Sequence, residues 1–248
     1  MKLRNVLVSI IIIVLIFLCS FYSCMDLVTG IECEKKVNSI EPINQSSSEV
    51  ENKKINQNYI TIILDAGHGN MDSGSISQSG VYEKDLTLDI TLKIGEALSK
   101  NGMQVIYTRT NDEYEWKGEV SDLQKRIDIA VANEGDYFIS INLNSSEYND
   151  GAKGFEIYTD NRNEELSDLA KSIESYLTNL NFTENRGIKL TDESGYLYVI
   201  DRNPIPSVLV ELGFISDDSD FTYLNSEKGK SEIAEAISKS ILESVMSN

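Results

Sequence analysis

A chain of 248 residues with 41% apolar side chains is long enough for one domain with its own core and too apolar for global disorder. Its formal net charge is -18. Residues 1–58 hold six basic and six acidic side chains, so the remaining 16 basic and 34 acidic residues carry all of that charge. Such a surface repels phosphate backbones and argues against a nucleic-acid partner, and its plain reading is solubility.

Lys2 and Arg4 precede an uncharged run from Val6 to Met25. At helical rise this run spans about 30 Å, the thickness of a bilayer core, and the basic flank keeps the N-terminus inside. Residues 1–25 therefore read as an uncleaved membrane anchor. A cleaved or lipidated signal is the second reading, with Ser23-Cys24 as a poor processing site. Either way, the rest of the chain is exported. Residues 26–58 are mostly polar and aperiodic, which reads as a flexible spacer. The three cysteines, Cys19, Cys24 and Cys33, all lie before the expected domain, which has neither disulfide nor thiolate ligand.

From residue 59 the pattern becomes that of a folded domain reaching residue 248. Ile60 to Leu64 is a short β-branched run and predicts a buried strand. Lys84 to Lys100 has helical apolar spacing and stops before Gly102. Met103 to Thr108 predicts a strand, Ser121 to Glu134 a helix with Ser121 as N-cap, and Tyr137 to Ile141 a third strand. Gly154 to Thr159 predicts a strand, Glu164 to Leu180 a helix, Tyr196 to Ile200 a strand, Ser207 to Glu211 a buried strand and Ser231 to Val245 a closing helix. This alternation predicts a single α/β domain with a mostly parallel sheet of about six strands covered by helices on both faces.

His68 is the sole histidine, and it follows the first predicted strand between Gly67 and Gly69. Sites in open α/β sheets gather beyond the carboxyl ends of strands, so a ligand role and a structural role stand about even here. Glu83 opens a helix, where the dipole favours a carboxylate; it can equally meet His68 as a metal ligand. Glu211 ends an apolar strand, where burial needs a partner or a use, such as moving a proton from water to a leaving amine. Asn142 lies at another strand end and alone reads as strand-to-loop punctuation.

Together these residues resemble the zinc-dependent N-acetylmuramoyl-L-alanine amidases. The likeness runs from about Ile60 to about Val245 through Leu64-Asp65-Ala66-Gly67-His68-Gly69, Glu83-Lys84-Asp85-Leu86, Thr108-Arg109 with Asp112, and Leu123-Gln124-Lys125-Arg126. It continues through Ile139-Ser140-Ile141, Arg186-Gly187-Ile188-Lys189 and Pro206 to Ser216. The short anchored layout is similar to the spore-cortex members of endospore formers. The resemblance implies a mixed six-stranded sheet with flanking helices and cleavage of the amide between N-acetylmuramic acid and L-alanine in peptidoglycan, with His68 and Glu83 as zinc ligands and Glu211 as the catalytic carboxylate. It also implies a histidine at position 142, where this chain has Asn142. Asparagine is a neutral, hard oxygen donor that suits zinc poorly, so weakened zinc affinity is expected. Three outcomes stay open: an active amidase with Asn142, a carboxylate or an extra water as the third metal ligand, a non-catalytic domain that binds peptidoglycan or a partner, and a site completed or stabilised by a partner protein.

Overall fold

The computed structural model describes residues 60–112, 122–147, 151–160 and 164–246. The anchor and spacer expected over residues 1–58, and the Ser121 cap, lie outside them. Among the described residues no helix is long and apolar enough to cross a membrane.

Six strands form one sheet: β1 (Thr61–Ala66), β2 (Gln104–Tyr107), β3 (Tyr137–Asn144), β4 (Phe155–Thr159), β5 (Asn185–Leu190) and β6 (Ser207–Phe214). Their order is β2-β1-β3-β6-β4-β5. All neighbours pair in parallel except β4 and β6, which are antiparallel. The helices between them are α1 (Glu83–Lys100), α2 (Asp122–Ala132), α3 (Glu164–Leu180), the single turns α4 (Thr191–Ser194) and α5 (Tyr198–Asp201), then α6 (Asp218–Leu224) and α7 (Glu227–Met246).

Strand alternation divides the side chains between two cores. Ile62, Leu64, Ile139, Ile141, Val208 and Val210 face the larger core, which α1, α3 and α7 cover. Ile63, Phe138 and Leu209 point the other way and pack against Ala130 of α2 and Val199 and Ile200 of α5. The mixed α/β sheet expected from the sequence is therefore present, with six strands.

One expected strand is a helical turn. Tyr196 to Ile200 was expected to be extended, but Tyr198–Asp201 is the helical turn α5. Its entry is fixed by Asp201, whose carboxylate accepts from Leu197 N (2.6 Å) and Thr191 Oγ1 (2.7 Å). The sixth strand is instead the polar segment Asn185–Leu190, lying at the sheet edge.

The chain leaves β1 for β2 through α1 on one face and returns past β1 to β3 through α2 on the other. The carboxyl ends of β1 and β3 therefore part at a topological switch point, the usual position of a site in such sheets. β6 continues that edge, with Asn142 of β3 in register with Glu211.

Candidate metal centre

β1 ends in a left-handed turn, with φ of 59° at His68 and 54° at Asn70. Two buried arginines hold it. Arg126 donates to the backbone oxygens of His68 (2.7 Å) and Ala66 (2.8 Å) and to Asp65 Oδ1 (2.7 Å). Arg109 donates to the oxygens of Ala66 (3.0 Å) and Gly67 (2.9 Å). Burial alone would raise Asp65, but Arg126 and the hydroxyls of Thr108 and Ser140 hold its carboxyl below the usual range. Farther along, Lys84 Nζ donates to Asn70 O (2.8 Å) and Asp112 Oδ2 (2.5 Å), tying the loop to the start of α1.

This frame points the imidazole at Glu83. His68 Nε2 lies 3.1 Å from Glu83 Oε1, and Nδ1 lies 2.8 Å from Asp72 Oδ2. Burial opposes a charged imidazole, yet the hydrogen bonds and fields of Glu83 and then Asp72 raise His68 to about 9. Glu83 is buried, and its two oxygens accept from the backbone nitrogens of Leu143 and Ser75, each at 2.9 Å. A carboxylate fixed from both sides is pre-oriented, the role that outer contacts play around metal ligands. Asp72 escaped sequence reasoning. Its one signal is the spacing of four residues from His68.

Asn142 lies beside this pair and engages differently. Its Nδ2 donates to Ser140 Oγ at 2.9 Å, and its Oδ1 sits against the β1 turn, 2.0 Å from where a Cβ on Gly67 would be. It lines a cleft of about 160 Å³ together with His68, Asp72, Arg126 and Tyr198. His68 and Glu83 suit a zinc ion in donor type and spacing, but the amide does not supply a third strong donor. Among the described residues no group of three or more His, Cys, Asp or Glu is arranged to hold a metal.

Glu211 occupies the same sheet face as Asn142, one strand over, with Glu156 directly opposite it on β4. Its Oε2 is sealed from solvent and has no hydrogen-bond partner among the described residues. Burial first, then the fields of Glu83 and Glu156, push Glu211 up to about 8, against smaller opposing effects of His68 and Lys189. A carboxyl poised near neutrality, with an unpartnered oxygen, can both take and return a proton.

The family model described as N-acetylmuramoyl-L-alanine amidase matches residues 62–243, spanning β1 to α7. The chain belongs to this family of hydrolases. It is 31% identical over 192 residues to the germination-specific N-acetylmuramoyl-L-alanine amidase of Bacillus subtilis, covering 73% of this chain and 78% of that one. To the amidase LytC of the same organism it is 34% identical over 179 residues, 71% of this chain. It spans only 34% of LytC's length. Among solved structures, the CwlD amidase of Clostridioides difficile, in complex with the GerS lipoprotein, superposes with a TM-score of 0.69 at 32% identity. That match covers 76% of this chain and all of CwlD's. Amidase relatives act on the cell wall, so the family places this chain's work outside the cytoplasm.

Proposed function

We propose that this family member hydrolyses the amide between N-acetylmuramic acid and L-alanine of peptidoglycan, at a metal site weakened by Asn142. The observation that carries the reading is Glu211, whose Oε2 is sealed from solvent with no partner among the described residues, whose pKa is raised, and which lies one strand from Asn142 within the fields of His68 and Glu83.

His68 and Glu83 would hold zinc, which when bound polarises the scissile carbonyl and acidifies its water. The chain's own part is proton traffic and positioning. Asp72 fixes the His68 ring by its Nδ1 contact, leaving Nε2 for the site. The backbone nitrogens of Leu143 and Ser75 fix Glu83. Glu211 takes a proton from the attacking water and passes it to the departing nitrogen of L-alanine. Residues 1–25 tether the enzyme to the outer side of the membrane, and work on spore peptidoglycan fits its similarity to a germination-specific amidase. A second reading gives the metal-bound form a stabilising partner protein, as CwlD was solved with a lipoprotein bound.

The test is to purify the full chain, measure bound zinc, and assay muropeptides for newly freed amino groups of L-alanine. Activity is expected only with added metal, and Asn142→His should raise zinc affinity on the order of 100-fold and raise the rate with it. Stoichiometric zinc in the unmodified protein would remove the weakened-metal reading. Retention on peptidoglycan without cleavage, in both forms and with excess zinc, would replace the enzyme with a binding module.

A further inference from the structure

Arg186 and Lys189 are the two cations of a family motif to which the proton chemistry above gives no part. Both lie on the edge strand β5 and reach over to one carboxylate on the neighbouring β4, Glu156. Arg186 Nε donates to Glu156 Oε2 at 2.8 Å, and Lys189 Nζ pairs with the same oxygen. The other oxygen, Oε1, already accepts from Asn144 Nδ2 and Tyr158 OH, each at 2.8 Å. Glu156 is 2% exposed, whereas the side chains of Arg186 and Lys189 are 37% and 29% exposed. A buried carboxylate with two neutral donors needs one cation for neutrality. Here it holds two, so while the neighbouring Glu211 is protonated the cluster carries surplus positive charge at the surface of a chain with net charge -18.

The guanidinium is also built in. It stacks 5.1 Å from the centroid of the Phe214 ring. Its stem passes over Gly154, where a Cβ would come within 2.9 Å of Arg186 Cγ and Cδ, and where φ is 107°. Of the five N–H donors of an arginine, two groups are engaged here, Nε with Glu156 and Nη1 with Lys153 O at 3.4 Å. Among the described residues Nη2 has no hydrogen-bond partner and remains for a ligand, as do further ammonium hydrogens of Lys189.

The position selects the ligand. Glu211 lies between the His68–Glu83 pair on one side and the Glu156 cluster on the other, in register with Asn142 and Glu156. The scissile carbonyl belongs on the His68 side, and the nitrogen that Glu211 protonates leads away from it, over β4 toward β5. The cations' head groups meet Glu156 on β4, one strand from Glu211 and so about 4.8 Å away, a distance that one to two further extended residues of roughly 3.5 Å each span. The residue after L-alanine therefore arrives where the two cations are.

We propose that Arg186 and Lys189 form a carboxylate-binding subsite that recognises the α-carboxylate of the second stem-peptide residue. This rests on the amidase reading. It makes the enzyme selective for stem peptides whose second residue is a free acid over those carrying a carboxamide there.

The experiment is a calorimetric titration of the full chain carrying Glu211→Gln, which slows turnover, with N-acetylmuramoyl-L-alanyl-D-glutamate and with its α-carboxamide. The free acid should bind about tenfold more tightly, the worth of one charge-assisted contact. Adding Arg186→Gln and Lys189→Gln should erase that preference, with the melting temperature recorded to show a folded protein. Equal binding of the two ligands before those substitutions overturns the subsite with no variant needed, and leaves the amidase reading standing. A preference that survives in the folded double-glutamine variant overturns it as well. Binding of neither ligand removes the peptidoglycan reading and the subsite together.

Discussion

Glu211 has the environment of a proton carrier at a cost in stability: a sealed oxygen with no partner among the described residues, within the fields of two other carboxylates. A charged group in that setting is costly to the fold, and this is the state catalysis requires. Glu211→Gln keeps the shape and removes the proton exchange. Its kcat should fall by about 10²–10⁴, with KM changed little, because general acid–base work appears in the transition state. Saturation kinetics on a soluble muropeptide with excess zinc measures both. A drop in KM-dependent affinity with kcat preserved would make Glu211 a binding group. At this scale the sequence was informative where residue type and punctuation coincided. Gly67-His68-Gly69 after a strand marked the histidine, and Glu211 at the end of an apolar run marked a carboxylate in need of a partner or a use. Asp72 and Glu156 carried no such mark. Asp72 matters only because the left-handed turn folds it under His68, and Glu156 only because an antiparallel pairing sets it opposite Glu211.

Elements whose stability comes from burial were easier to read than those built on local polar contacts. α3 was predicted at its observed bounds, Glu164–Leu180, since its apolar face has helical spacing and covers the larger core. β5 has little apolar content beyond Ile188 and Leu190, because an edge strand needs one paired neighbour and one wet side. The apolar alternation of Tyr196, Tyr198 and Ile200 mimicked a strand, while Asp201 closed the segment into a turn. α6 was missed for a similar reason. Its seven residues are mostly polar, and it is set by Asp217, whose carboxylate accepts from Ser219 N (3.0 Å) and Asp220 N (2.9 Å). The cap in turn orients Asp220, which accepts from Phe214 N and Gly154 N, both at 2.9 Å, and so ties β6 to the start of β4. Asp217→Ala should therefore cost about 1 kcal/mol, a melting temperature lower by roughly 2–4 °C. A differential-scanning melt of the two proteins reads it, and an unchanged midpoint would mean the turn is held from elsewhere.

For the whole molecule, the functional groups and the fold respond oppositely to pH. Asp65, held below 3.8 by Arg126 and two hydroxyls against the effect of burial, contributes stability above that value and loses it as pH falls through its lowered one. His68, raised from 6.5 to about 9, contributes fully below 6.5, and that contribution disappears as pH climbs through 9. Glu211, raised from 4.5 to about 8, makes the folded protein bind more protons than the unfolded chain between those values, so stability falls as pH rises across that window. The acidic excess, with an isoelectric point near 4.4, adds self-repulsion in the same direction. Stability should therefore peak near pH 5 and decline toward 9. Halved for solvent screening at these partly exposed groups, the His68 and Glu211 shifts correspond to a fall on the order of 10 °C in melting temperature. Melts in chelator keep metal from competing with protons at His68. In that series Glu211→Gln should match the parent near pH 5 and melt several degrees higher at pH 8, since it no longer forces a charge into the site. If the parent curve is flat or rises from pH 5 to 9, or if Glu211→Gln declines in parallel with it, the carboxyl is not held protonated by the fold. The proton-carrier role then loses its physical basis, while Arg186, Lys189 and the family assignment are untouched.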